Sequence, residues 1–182
     1  MCDVENALPV AARQELRTSL STRIDPFILQ IPKVELHVHI EGTITPELKW
    51  KFAQRNGMTL KHPRTGVVFS SLEEFQKSHD PMESCNGERM NNSEETLSFF
   101  EAYYGGFEVL KTKQDYYDLA MHYFERAASM NVRYCEIFFD PQGHIRLGTA
   151  WETMMTGFHE AQDTAKRDLE VRNIIRCWSI RK

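Results

Sequence analysis

Three short apolar runs, rich in β-branched and aromatic residues, are separated along the chain by longer stretches with helical periodicity. The runs cover residues 34–40, 132–139 and 171–178. The first alternates strictly between two sets of side chains, which is typical of a strand. Strands separated by helices favour parallel pairing through right-handed crossovers. The spacing therefore predicts an α/β fold with about three parallel strands.

The predicted helices between these runs begin at capping sequences. Residues 45–47, 71–74, 112–115 and 149–152 each place a Ser or Thr ahead of an acidic residue in the first turn, a pattern that satisfies free backbone N–H groups. A further helix is expected over residues 94–104. Gly57 and Asn131 are expected to end two of the helices.

The chain is expected to divide into an N-terminal arm, residues 1–31, and one domain, residues 32–182. Residues 77–93 are polar and contain the turn-forming pairs Asp80-Pro81 and Asn86-Gly87. Composition of this kind predicts an inserted or disordered loop within the domain.

Composition excludes several functions. The net charge is −4 without clusters of Lys and Arg, which argues against nucleic-acid binding. The apolar runs are too short to cross a membrane, and the first residues do not resemble a secretory signal. The four cysteines are widely spaced and are interpreted as reduced thiols, with Cys135 and Cys177 in the core. A cytoplasmic location, extending to the nucleus, fits these features.

The tripeptide His37-Val38-His39 is the strongest candidate for a chemical site. Residues two apart on a strand point to the same face, so two imidazoles could share one metal ion. Neutral imidazole suits zinc, and parallel barrels place their sites at the carboxyl ends of the strands. The pattern alone leaves metal binding and ordinary surface or core histidines both open.

A catalytic zinc site needs more protein ligands than this pair provides. His144 follows the second predicted strand, where a parallel barrel would place it on the active face. Its surroundings nevertheless favour an exposed side chain, with Asp140 as a turn or cap residue. The remaining histidines are expected in loops, at His62 and His79, or on helix surfaces, at His122 and His159.

Residues 32–42, with the sequence PKVELHVHIEG, resemble the opening motif of the adenosine/adenine deaminase family. Residues 103–120, 132–142 and 151–153 extend the resemblance to about residues 30–165. The block EIFFDPQ, residues 136–142, is more similar to the adenine deaminase and fungal-type branch than to animal adenosine deaminases. The resemblance implies that the three strands form the N-terminal portion of a TIM (β/α)₈ barrel.

The resemblance also implies a zinc-dependent hydrolase of purine salvage that converts a 6-aminopurine, adenine or adenosine, to its 6-oxo product and ammonia. His37 and His39 would bind Zn²⁺, which lowers the pKa of the attacking water. Glu41 would lie near the purine base or nucleoside; the alternative is a surface acid that leads into a helix. The family's general acid is a Glu that donates a proton to the ring nitrogen.

The sequence departs from the family pattern, because the motifs that supply this Glu, further zinc-binding His and an Asp are absent from it. Three strands are also too few to close a barrel. These departures predict a truncated chain that has an incomplete zinc site and is inactive alone. A non-enzymatic fragment that associates with a partner or homologue is the alternative, because a partial sheet exposes a strand edge. An amidohydrolase with another substrate is a third possibility, and the oligomeric state is left open.

Overall fold

The computed structural model describes residues 12, 15, 16, 18, 19, 25–79 and 99–177. The chain divides into two units, Met1–Pro32 and Lys33–Lys182. In the first unit, helix α1 spans Pro26–Gln30, where Asp25 caps it by accepting a hydrogen bond from the N–H of Phe27. The predicted arm is therefore helical over this segment, and most of its other residues lie outside the described ranges.

The second unit alternates strands and helices. Its elements are β1 (Lys33–His39), α2 (Pro46–Arg55), α3 (Leu72–His79), α4 (Phe99–Phe107), α5 (Lys113–Ser129), β2 (Val132–Phe139), α6 (Pro141–Arg146), α7 (Trp151–Asp168) and β3 (Arg172–Cys177). A 3₁₀ turn, Ile40–Thr43, joins β1 to α2. None of the helices in the described ranges has the length and apolar character that crossing a membrane requires.

The sheet has the strand order β1-β2-β3, and both pairs are parallel. Among the described residues the sheet ends at β1 and β3, so it does not close on itself. This confirms the predicted α/β fold with three parallel strands. The last strand agrees with the predicted run up to Cys177; Trp178 lies outside the described residues.

Most predicted helix ends are confirmed. The Thr45 hydroxyl accepts a hydrogen bond from the N–H of Leu48, and Thr112 forms a capping box with Asp115. Gly57 and Asn131 follow α2 and α5 with φ angles of 63° and 60°. Both residues therefore adopt the left-handed conformation that ends a helix.

The predicted cap of α7 is wrong. The residue before this helix is Ala150, which makes no side-chain cap bond. The Thr149 hydroxyl instead donates to the carbonyl oxygen of Leu110, at 3.3 Å, and Thr149 is buried. The hydroxyl of the predicted cap residue Thr149 therefore bonds to a distant segment of the chain and not to the helix that follows it.

Three further boundaries differ from expectation. His79 ends α3 rather than lying in a loop, and α6 follows β2 in a segment for which no helix was predicted. The fourth helix extends to Phe107 instead of residue 104. Of the predicted inserted loop, residues 77–79 belong to α3, and residues 80–93 lie outside the described ranges.

Helices α5 and α7 pack together and cover one face of the sheet with a continuous apolar core. The free thiol of Cys135 is buried in this core, as expected. The largest core side chains are Phe52, Tyr116, Leu119, Phe124, Ile137, Phe139, Met154 and Phe158. The opposite face of the sheet has no such cover within the described part of the chain, and Val34 and Leu36 on β1 are 60% and 59% exposed.

Candidate functional site

An irregularity in β1 determines where its histidines point. Glu35 pairs with Cys135 and Val38 pairs with Ile137, so three steps on β1 match two on β2. Such a bulge reverses which residues of a strand face each side of the sheet. The expectation of strict alternation through this strand is therefore wrong.

The contacts of β1 show the reversal directly. Glu35 faces the helices, where its carboxylate accepts a hydrogen bond from Tyr123 of α5 at 2.6 Å. Val38, three residues later, also packs on the core beneath the helices. His37 and His39 consequently point to the uncovered face, although they would share the side of Glu35 in a regular strand.

The two imidazoles lie side by side on this face. Their ring centroids are 5.3 Å apart with 31° between the planes, and both rings contact Phe138 of β2. The prediction that they share one face of a strand is confirmed. Side-by-side imidazoles provide two nitrogen donors of the kind that zinc binds, so these residues fit a divalent metal.

A complete metal site is not assembled within the described residues. No group of three or more His, Cys, Asp and Glu side chains in those ranges could hold a metal ion. His62 is buried in the turn before α3 and accepts hydrogen bonds from the backbone of Arg64 and Thr65. His122 and His159 lie on α5 and α7, as predicted.

Glu41 lies just past the end of β1 and is only 2% exposed. Its Oε1 atom accepts a hydrogen bond from the backbone N–H of Asp140 at 2.7 Å, and His144 Nε2 lies 3.2 Å from the same oxygen. Its Oε2 atom is buried and has no hydrogen-bond partner within the part of the chain that the structure describes. The alternative interpretation of Glu41 as a surface acid is therefore wrong.

His144 is buried, at 1% exposure, so the expectation of an exposed side chain is also wrong. Its Nδ1 atom lies 3.0 Å from the Tyr116 hydroxyl. Helix α6 brings this imidazole back under the carboxyl ends of β1 and β2. Glu41, His144 and Tyr116 thus form a buried hydrogen-bonded chain that sequence reasoning missed.

Asp140 begins α6, as its expected turn or cap role requires, but without a side-chain cap bond. Its carboxylate accepts a hydrogen bond from the Tyr103 hydroxyl at 2.9 Å. Burial and the nearby charges of Glu41 and Asp140 raise the pKa of Tyr103, which therefore stays a donor at neutral pH. This hydrogen bond joins the carboxyl end of β2 to α4.

A cleft of about 810 Å³ lies at the end of the sheet opposite the carboxyl ends of the strands, beside the start of β3. Its lining includes Tyr134, Lys166 and Arg172 and none of the histidines of β1. Parallel barrels keep their chemistry at the carboxyl ends of the strands. The candidate site is therefore the cluster at His37, His39 and Glu41 rather than this cleft.

Comparison with known proteins matches this architecture to one family. The sequence profile of the family described as Adenosine deaminase matches residues 32–182. The adenine deaminase of Rhodospirillum rubrum is 40% identical over 149 residues, which are 81% of this chain and 39% of that protein. The chain spans about 40% of the length of the curated relatives it matches.

Two solved structures share the fold. The adenine deaminase from Arthrobacter aurescens is 35% identical with a TM-score of 0.63, over 80% of this chain and 39% of that one. An amidohydrolase from Burkholderia ambifaria, crystallised with bound zinc, is 20% identical with a TM-score of 0.61, over 95% of this chain and 39% of that one. These neighbours identify the open sheet as part of a TIM-type barrel.

Proposed function

This chain belongs to the adenosine deaminase family, and we propose that it carries the first part of a zinc-dependent purine deaminase of the salvage pathway. The observation that supports this most is the bulge in β1, which turns His37 and His39 together toward the uncovered face of the sheet. Bulges beside active sites commonly re-aim a side chain in this way.

His37 and His39 are proposed to hold the zinc ion through their imidazole nitrogens. A zinc ion bound there would supply an acidified water as the nucleophile for hydrolytic deamination. The amidohydrolase neighbour with bound zinc supports a metal cofactor for this fold. Phe138 packs against both rings, so it restricts their orientation toward a shared ion.

Glu41 is proposed to bind the purine. It lies two residues beyond His39, and its Oε2 atom is an acceptor that no described residue satisfies. A buried carboxylate oxygen of this kind is costly unless a donor reaches it, and a purine N–H is such a donor. Adenine is the proposed substrate, because relatives that share 40% and 35% identity with this chain are adenine deaminases.

The remaining zinc ligands and the general acid are proposed to come from other strands of the barrel. The described residues supply two imidazoles and one buried acid at the carboxyl edge of the sheet. The 182 residues on their own are therefore proposed to lack turnover.

A chimera tests the proposed function. Residues 32–177 of this chain would replace the matching segment of the Rhodospirillum rubrum adenine deaminase, and adenine loss would be followed by ultraviolet absorbance. We expect zinc-dependent deamination of adenine that His37→Ala and His39→Ala each reduce by at least about a hundredfold. His159→Ala, on the exposed side of α7, is the matched control.

The chimera must be folded and monodisperse by circular dichroism and size-exclusion chromatography. A folded, zinc-loaded chimera that leaves adenine intact would contradict the proposal. So would one in which the His37 and His39 variants retain the full rate.

A further inference from the structure

The two oxygens of the Glu41 carboxylate have unequal surroundings. Oε1 contacts both the N–H of Asp140 and His144 Nε2, whereas the buried Oε2 contacts no donor among the described residues. A carboxylate held through one oxygen has a fixed orientation, and its second oxygen keeps its capacity to accept a hydrogen bond. The structure therefore fixes which oxygen of Glu41 can accept a further hydrogen bond.

His144 is itself held on two sides. Its ring stacks on Phe107 with centroids 4.5 Å apart and 14° between the planes, and it meets Tyr116 edge-on at 5.3 Å. Gly143 makes the stacking possible, because a Cβ atom there would lie 2.3 Å from the Phe107 ring. The imidazole consequently cannot rotate without displacing one of these neighbours.

The hydrogen bonds of His144 also determine its protons. A carboxylate only accepts, so the proton between His144 and Glu41 is on Nε2. The Tyr116 hydroxyl lies 3.0 Å from the opposite ring nitrogen, Nδ1, and donates to the carbonyl oxygen of Leu110 at 3.4 Å. His144 therefore donates to Glu41 through Nε2 and contacts Tyr116 through Nδ1.

We propose that His144, backed by Tyr116, is a positioning residue that orients the Glu41 carboxylate so that Oε2 is presented to an N–H donor of the substrate. This inference rests on the proposed contact between Glu41 and the purine. His144 acts only through Glu41 and touches no reacting atom. The hydrogen bond between His144 and Glu41 also joins α6, which follows β2, to the 3₁₀ turn that follows β1. One hydrogen bond therefore aligns two segments of the site.

Nuclear magnetic resonance of the metal-free 182-residue chain tests the inference. Side-chain ¹⁵N spectra report the tautomer of His144, and hydrogen exchange reports the Asp140 N–H that Glu41 accepts. His144→Phe keeps a flat ring beside Phe107 but removes the donor. His144→Gln is the conservative variant that keeps an N–H donor.

We expect the Nε2 atom of His144 to carry a proton. His144→Phe is expected to accelerate exchange at Asp140 by about tenfold relative to Ile137 in the preceding strand β2, because one of the two bonds that fix Glu41 is lost. His144→Gln is expected to restore most of this protection. Tyr116→Phe is expected to keep the proton on Nε2, because the contact with the Glu41 carboxylate is unchanged.

An Nε2 atom without a proton in the unmodified chain would overturn the inference, as would equal acceleration at Asp140 and Ile137 in every variant. If His144→Phe does not fold, the Tyr116→Phe spectrum decides, and loss of the Nε2 proton there counts against the inference. These measurements need neither zinc nor purine. Failure of the chimera to deaminate adenine would therefore count against the proposed function and not against the positioning of Glu41.

Discussion

Lys49 is a charged residue in an apolar place. It lies on the buried side of α2, with its Nζ atom 5.5 Å from the centre of the Phe75 ring. Gly105 of α4 leaves room for the ammonium group, because a Cβ atom there would be 2.8 Å from Nζ. Burial lowers the pKa of Lys49 to about 8, although the charge of Glu108 opposes this.

Lys49→Met is expected to stabilise the fold at pH 7 by up to about 3 kcal/mol, because it removes the cost of burying an ammonium group. The folded state holds its proton less tightly than the unfolded state, so the cost is present below pH 8 and disappears as the pH rises toward 10.5. Urea unfolding at pH 7 and pH 9.5 measures the difference. The exposed Lys166→Met is the control; a Lys49→Met protein that is less stable at pH 7 would contradict the argument.

Asp115 is a buried acid whose carboxylate is held by several hydrogen bonds and an ion pair. Burial alone would raise the pKa of its carboxyl, but hydrogen bonds from Asn56 and from the backbone N–H groups of Thr112 and Lys111 outweigh burial and lower it. Arg55 of α2 adds an ion pair at 2.8 Å. This carboxylate therefore joins α2 to the start of α5.

Asp115→Asn is expected to cost about 3 kcal/mol at pH 7, because it breaks a buried ion pair. With a lowered pKa in the folded state, the stabilisation is complete above about pH 4 and is lost as the pH falls further. Denaturant titrations between pH 7 and pH 3 should show a smaller acid loss in Asp115→Asn than in the parent chain. An equal loss of stability with falling pH in the two proteins would argue against this role of Asp115. The exposed Asp163→Asn should lose stability with falling pH as the parent chain does.

The surroundings of some histidines could be predicted from the sequence, and those of His144 could not. The geometry of His37 and His39 followed from their spacing, since the two positions share a face of a strand. The burial of His144 did not, because it depends on Phe107 and Tyr116, which are 37 and 28 residues away in the sequence. Its only signal was its place after the second strand, where a barrel gathers functional residues.

Among the elements, β1 shows how a local irregularity changes the chemistry of a site. Its alternating sequence predicted the strand, but not the extra residue between Glu35 and Val38. In a regular strand, the histidines would share the helix-facing side with Glu35. Register depends on the partner strand, so the pattern of β1 alone could not reveal the reversal.

Helices α5 and α7 approach closely at Gly157. A Cβ atom at this position would lie 2.4 Å from the carbonyl oxygen of Lys113 and 2.8 Å from Cβ of Tyr116. Backbone atoms cannot yield as a flexible side chain does, so the helices would have to separate. The spacing of these helices over the sheet thus depends on one glycine.

Gly157→Ala is expected to destabilise the fold by about 1–3 kcal/mol despite the better helix propensity of alanine, because overpacking outweighs that gain. The free energy of unfolding in urea measures the effect. Thr156→Ala, at an exposed neighbouring position of α7, should change it by less than about 0.5 kcal/mol. A Gly157→Ala protein as stable as the parent would show that the helix pair is more adaptable than its geometry indicates.

At the level of the whole molecule, the three parallel strands leave one face of the sheet uncovered within the described residues. The alternation of strands and helices was enough to predict this architecture. Within the described residues, no third His, Cys, Asp or Glu side chain joins His37 and His39 in a group that could hold a metal ion.

The 182-residue chain is expected to show no adenine or adenosine turnover above a metal-free control, because zinc catalysis commonly needs three protein ligands and an open position. An ultraviolet assay with added zinc measures this directly. The chimera described above is the positive control. Zinc-dependent turnover by the chain alone would contradict the expectation and require a catalytic acid within these residues.

Zinc binding to the 182-residue chain tests the central claim most directly. Calorimetric titration should give one zinc ion per chain, with affinity reduced at least about tenfold in His37→Ala and in His39→Ala. His159→Ala should bind as the parent does, since that side chain is exposed on α7. Equal zinc affinity in all four proteins would show that the His37 and His39 pair is not a metal site, and the proposed deaminase chemistry would lose its basis in this chain.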